Sequence, residues 1–463
     1  MVEPMDIQQR LAALGAAIPE IILPGPGLDL RRWAVIACDQ FTQDRSYWAG
    51  VEEVVGDAPS TLRLIFPEVY LEEAGRETRI QRIHSAMERY IAGGTLRSPG
   101  QCAVYLERRT SWHERRRGLV LAIDLEHYDW REAAQPLIRA TEGTAPERLP
   151  PRMAIRRGAP LEIPHIILLI DDEEDALLPS LGRRAQERPP LYEASFMGKA
   201  GSLTGWALDR EEDWAVLAGG LETLARRSLA RYAGPSPAGK GSAAERPFLY
   251  AVGDGNHSLA AAKALWEEVK TSGAPAAHGG RWALAELENL YDPGISFQPI
   301  HRILFGADAR DLTEALAALP GFARYPAADR DRLSQAVKNR GAGKSRAGIL
   351  SETACVLIES DAPGLLVSSL QPLLDRFIQE RNRSSPQAPV RIDYIHGEEE
   401  VFRLVAEAAS RPGGPPAAGL LLPPVQKGGL FETVARSGPL PRKSFSMGAA
   451  EEKRFYLECR KLF

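Results

Sequence analysis

Four consecutive residues, Asp254, Gly255, Asn256 and His257, set a carboxylate, a carboxamide and an imidazole around one glycine. They stand where the apolar run Phe248 to Val252 gives way to "HSLAAAKALWEEVK", in which alanines, Leu265 and Trp266 mix with Lys263, Glu267 and Glu268. The spacing predicts a short buried strand, a tight turn and a helix. Glycine at 255 permits positive φ, and Asp254 or Asn256 offers a side-chain oxygen as a helix cap. The plainest use of the turn is a helix start with a buried histidine. The same geometry also aims free N–H groups and the positive end of a helix dipole at whatever lies above it, as a phosphate cradle does. In that use Asp254 binds a metal ion or acts as base, and His257 contacts a phosphoryl oxygen. The stretch fits neither G-x-x-x-x-G-K-[ST] nor G-x-G-x-x-G, so the local pattern leaves both uses open.

Other polar groups fall in patterned places. In "ENLYDPGISFQPIHRILF" (288–305), Glu288, Asn289, Asp292 and His301 are embedded among apolar and aromatic residues. Asp292 suits the cap of a D-P-G turn, and His301 with Arg302 either lines a site or edges a strand. "LIRATEGTAPERLPPRMAIR" (137–156) carries Arg139, Glu142, Arg148, Arg152 and Arg156. Guanidinium groups recognise phosphate in a bidentate way, whereas a solvated loop is the ordinary alternative. Asp39 and Gln40 close the apolar run "RWAVIACDQ". "LERRTSWHERRRG" (106–118) is the one basic cluster and reads as a hairpin turn; no helix-turn-helix or finger spacing accompanies it. The histidines and cysteines show no zinc-ligand spacing, and no G-x-S-x-G elbow is present.

The elements that must position these groups alternate in type. Strands are predicted at 32–40, 101–109, 117–126, 162–171 and 354–360, and helices at 76–94, 213–233 and 308–319. Gly/Pro/Ser-rich connections are predicted at 233–247, 271–280, 339–348 and 411–419. The class is mixed α/β or α+β. The chain has 463 residues, enough for two or three domains, with 44% apolar and 25% charged residues. A net charge of −4 gives no global field toward nucleic acid or an anionic membrane. Four dispersed cysteines without a CxxC pair suit free thiols in a reducing compartment. The N-terminus lacks the basic and apolar regions of a signal peptide, and "IPHIILLI" is too short to span a bilayer, so a cytoplasmic, bacterial protein is expected.

Taken together, "YAVGDGNHSLAAAKALWE", "ENLYDPGISFQPIHRILF" and the tail "GGLFETVARSGPLPRKSFSMGAAEEKRFYLECRKL" resemble a prokaryotic family, domain of unknown function 1015. Its marks are a D-G-H-H-R or D-G-N-H-S turn after a strand and a downstream P-x-H-R, here Pro299, Ile300, His301 and Arg302. The turn in turn is similar to that of ParB/sulfiredoxin-like nucleotide-binding proteins, among them the free-serine kinases. The resemblance implies a ParB/sulfiredoxin-like core around 248–305 within an α/β region, 1–306, that carries the site. A C-terminal unit, 307–463, follows, its last segment free to pack back on the core. It implies ATP or ADP with Mg²⁺ as cofactors. Gly253, Gly255, Asn256, His257 and Ser258 would bind phosphate, and Asp254 would hold the metal or act as base. Asp39 and Glu142 are further candidate bases, and Arg139, His301 and Arg302 complete the binding set. Ser258 stands where the kinase-like pattern has arginine, so phosphoryl transfer lacks a cation there. With no cysteine in the turn, sulfiredoxin chemistry is not expected. The implied activity is nucleotide-dependent phosphoryl transfer by a small-molecule kinase acting on serine or a similar amino acid. The alternatives are a non-catalytic nucleotide-binding ParB-like switch and a phosphatase or nucleotide hydrolase. The implied partners are a nucleotide and a small acceptor, not nucleic acid or membrane.

Overall fold

The computed structural model describes residues 5–131, 134–232, 246–339, 343–362, 364–411 and 413–462. Most of the connection expected at 233–247 lies outside the described residues. The chain divides into two compact units, Met1–Ser296 with Gly448–Phe463, and Phe297–Met447. The first is therefore interrupted by the second. Both are mixed α/β.

The first unit is built on a ten-stranded mixed sheet in which hairpins flank a run of strands joined by crossovers. The expected hairpin is present: Ala103–Arg109 runs antiparallel to Arg116–Asp124, with Arg108 opposite Arg116. Strand Trp282–Asn289 continues the sheet, antiparallel to Arg116–Asp124 and parallel to Ile167–Ile170. Next come Tyr250–Asp254, antiparallel to Ile167–Ile170, and Ile138–Ala140, parallel to Tyr250–Asp254. All nine residues of Arg116–Asp124 are buried, because alternate side chains enter different cores. Leu119, Leu121 and Ile123 join helices Leu177–Ala185, Glu211–Tyr232 and Asn256–Thr271 on one face. Val120, with Val104 and Leu106, packs on the other face with Trp33, Trp48, Met87 and Phe455.

Two expected strands are altered. The run at 32–40 forms a short helix, Leu30–Trp33, capped by Asp29, followed by a single bridge from Ile36 to Phe455. The Trp33 carbonyl accepts from the Ser60 and Thr61 hydroxyls, so side chains replace the ladder that the apolar pattern suggested. The run at 162–171 is split into Leu161–Glu162 and Ile167–Ile170 around Pro164, which has no N–H to give a ladder.

The second unit is a seven-stranded sheet whose main path is Ala323–Pro326, Cys355–Ser360, Ser345–Leu350, Ala417–Leu421, Phe297–Phe305 and Arg391–His396. Phe445–Met447 pairs with the start of Phe297–Phe305. Among the described residues no helix is long and apolar enough to cross a membrane.

Candidate functional site

Tyr250, Ala251 and Val252 are fully buried, which fixes the strand; the ladder then shifts register at Gly253. Gly255 follows at φ +80°, and a Cβ there would lie 3.2 Å from the Ile166 Cα. Both conformation and crowding therefore call for glycine. Helix Asn256–Thr271 starts at once, and no side chain caps it. Asp254 Oδ1 instead accepts from the Gly255 N–H at 3.0 Å. The helix-cap use of Asp254 or Asn256 is not what the structure shows. The amide end of a 16-residue helix is left at the sheet edge where strand Tyr250–Asp254 ends.

Around that edge stand groups from distant parts of the chain. His165 precedes strand Ile167–Ile170, and its Nε2 lies 3.1 Å from Ser258 Oγ and 3.4 Å from Asp39 Oδ2. Its Nδ1 shares a 2.7 Å hydrogen bond with the Tyr456 hydroxyl, which also accepts from the Cys38 N–H at 3.1 Å. Burial disfavours charge on His165, but Asp39, with Asp254 and Glu68 behind it, outweighs this and raises its pKa. Burial alone would raise Asp39; the charge and hydrogen bond of His165, with Gln40 and Lys453, reverse that and hold it well below the usual carboxylate range. Lys453 Nζ stands 3.1 Å from Asp254 Oδ2. Glu68 is ion-paired to Arg152, yet burial, helped by Asp39, keeps its pKa raised.

Lys453 and Tyr456 arrive on the segment that re-enters the unit at Gly448, and buried arginines hold it. Arg108 donates to the carbonyls of Glu451 at 2.7 Å and Glu452 at 3.0 Å, and also to that of Lys453. It lies 5.3 Å from the ring centres of both Phe196 and Phe455. Arg454 pairs with Glu286 and Glu458 and donates to the Pro164 carbonyl at 3.2 Å, beside His165. Neighbouring Glu288 is pushed up to about 8, by burial first and then by Glu286, against the pull of Arg116.

The structure thus brings Asp39, Asp254, Gly255 and Ser258 together. Glu142 follows strand Ile138–Ala140, whose carboxyl end lies beside that of Tyr250–Asp254, so it reaches the same sheet edge. His257 opens the helix, and its Nε2 accepts from the Ala145 N–H at 3.3 Å, tying that loop to the turn. Asn256 Oδ1 is buried without a hydrogen-bond partner. Arg139 points away from the turn: it is buried, lies 4.5 Å from the Phe248 ring centre, and donates to Pro136. His301 and Arg302 belong to the second unit. His301 Nδ1 accepts there from the Leu422 N–H at 3.0 Å, and burial lowers its pKa to about 4. Arg302 is fully buried, bonded to Gln371 and to the Ile300 carbonyl. His165, Glu68, Lys453 and Tyr456 were not among the residues the sequence singled out. The one available signal was a histidine beside the apolar run "IILLI".

Residues 22–411 match the family described as Protein of unknown function (DUF1015). The chain belongs to that family. The DUF1015 match takes in Asp39, Glu68, His165 and the 254–258 turn, whereas Lys453 and Tyr456 lie beyond it. No curated protein sequence matches the chain. Among solved structures, a conserved hypothetical protein from Pyrococcus furiosus is similar at 12% identity and TM-score 0.35, over 74% of this chain and 95% of that one. A free serine kinase in complex with AMP is similar at 11% identity and TM-score 0.36, over 74% and 92%. SbnI from Staphylococcus aureus, truncated at its C-terminus, shows 8% identity and TM-score 0.30, over 71% and 82%.

Proposed function

We propose that the site binds the phosphates of ATP or ADP at the 254–258 turn and transfers a phosphoryl group to the hydroxyl of a small molecule. The observation that carries this reading is the meeting of an uncapped helix start with the Asp254–Lys453 pair and the Asp39–His165–Ser258 cluster. The N–H groups of the first helical turn would receive phosphate oxygens. Lys453 would supply the cation that Ser258 does not. Glu68, whose pKa burial raises, suits proton acceptance from the acceptor hydroxyl better than Asp39, whose pKa is depressed. Asp39, held ionised by His165, suits keeping that imidazole charged and aimed at Ser258. These paired acid and base groups favour catalysis over a binding switch.

Among the described residues no group of three or more His, Cys, Asp or Glu is arranged to hold a metal ion. Mg²⁺ bound mainly through nucleotide phosphates needs only one or two carboxylates, and Asp254 at the turn fits that requirement. When bound, it would neutralise phosphate charge. The test is calorimetric titration of ATP and ADP with Mg²⁺ into wild type, Lys453→Met and Asp254→Ala. Wild type is expected to bind, with affinity falling by about tenfold or more in each variant, as loss of a charged contact implies. Absence of binding to wild type would overturn the proposal.

A further inference from the structure

Beside Ser258 lies a cavity of about 140 Å³. Leu64, Ile65, Phe66, Met87, Ile155 and Leu161 form much of its wall. An apolar cavity of about 150 Å³ is large enough to take a benzene ring. Ser258 and Ala261, from the first turns of helix Asn256–Thr271, border it together with His165 and Tyr456, so part of its wall lies beside the proposed phosphate position.

The ions on its wall are already matched. Arg152 is paired with Glu68, Arg156 with Glu162, and His165 with Asp39. Glu162 also receives Arg460 at 2.8 Å and the Leu284 N–H at 3.0 Å. A zwitterion such as serine would give up the hydration of both its charges and find no uncompensated partner in exchange. An aromatic or branched alcohol would bury its hydrocarbon against the wall and keep its hydroxyl at Ser258 and His165.

We infer that this cavity receives the acceptor, an uncharged alcohol with an apolar or aromatic body, in preference to an amino acid. The inference rests on the phosphoryl-transfer reading for the word acceptor, but the binding itself can be read without nucleotide.

The experiment titrates 2-phenylethanol and L-serine separately into the full wild-type chain without nucleotide, by calorimetry. Methionine-methyl NMR follows Met87 in parallel. The alcohol is expected to bind at least tenfold more tightly than serine and to move the Met87 methyl resonance. Ile155→Trp, which narrows the cavity, is expected to lose that binding. If this variant does not fold, the Met87 resonance of wild type decides. Equal or tighter binding of serine, or a Met87 signal unmoved at saturation, would overturn the inference. Alcohol binding in a protein that binds no nucleotide would support the cavity and overturn phosphoryl transfer. The reverse pattern would overturn the cavity alone.

Discussion

Replacing Arg108 by methionine keeps an apolar stem between Phe196 and Phe455 and removes the guanidinium that grips the returning segment. The carbonyls of Glu451 and Lys453 lose this charged donor together, while that of Glu452 keeps Arg116 at 3.0 Å. A hydrogen bond from a charged group contributes about 1.5–3 kcal/mol, and removing one member of a buried charged cluster costs about 3–5 kcal/mol. Burial and neighbouring Arg116 push the Arg108 pKa down to about 9 against the pull of Glu286, Glu288 and Glu452, so part of the gain is already offset and a loss at the low end, about 3 kcal/mol, is expected. At about 1.4 kcal/mol per tenfold, opening of the segment becomes roughly a hundredfold more frequent. Native-state hydrogen exchange reads this directly. The Tyr456 N–H donates to the Val35 carbonyl at 2.9 Å and the Cys459 N–H to the Ile22 carbonyl at 2.8 Å. Both amides should exchange roughly a hundredfold faster in the variant, while those of strand Ser345–Leu350 in the second unit keep their wild-type rates. Rates at Tyr456 and Cys459 within about threefold of wild type would show that the segment is held by something other than Arg108.

Two further predictions concern the turn and its histidine. His165 has its pKa raised above 6.5, so its contribution to stability is complete below that pH and fades as pH climbs through the folded-state value. Asp39 is depressed below 3.8, so its contribution is present above that pH and fades as pH falls through the depressed value. The pair, in the field of Asp254, Glu68 and Lys453, should therefore stabilise most between about pH 4 and 6.5. Denaturant midpoints of wild type and His165→Gln should differ most in that window and converge toward pH 9; a gap that does not change with pH would refute the pairing. Gly255→Ala places a side chain at φ +80° and a Cβ 3.2 Å from Ile166 Cα. It should lower unfolding free energy by about 2 kcal/mol, and an unchanged denaturant midpoint would refute the requirement for glycine.

The strand, turn and helix at 248–271 were legible because every determinant is local: an apolar run, a glycine, then alanine-rich helical spacing. The hairpin at 106–118 was legible for the same reason. At 32–40 apolar composition alone mimicked a strand, since the Ser60 and Thr61 hydroxyls that bond Trp33 lie well outside any local window. Much of the site had the same difficulty. Tyr456 meets His165 across 291 positions, and Lys453 meets Asp254 from the far side of a whole inserted unit. Neither shows a spacing that a motif could record. Arg139 illustrates the converse, a charged residue in a suggestive stretch that the fold turns onto Phe248.

The point where the chain leaves and rejoins the first unit carries one more consequence. The Gly448 N–H donates to the Ser296 carbonyl at 2.9 Å, so the chain re-enters the site-bearing unit one hydrogen bond from where it left. In engineering terms that unit is a socket. A few glycines joining Ser296 to Gly448 would span that gap. The inserted unit thus begins and ends at a single point of the unit that carries the turn.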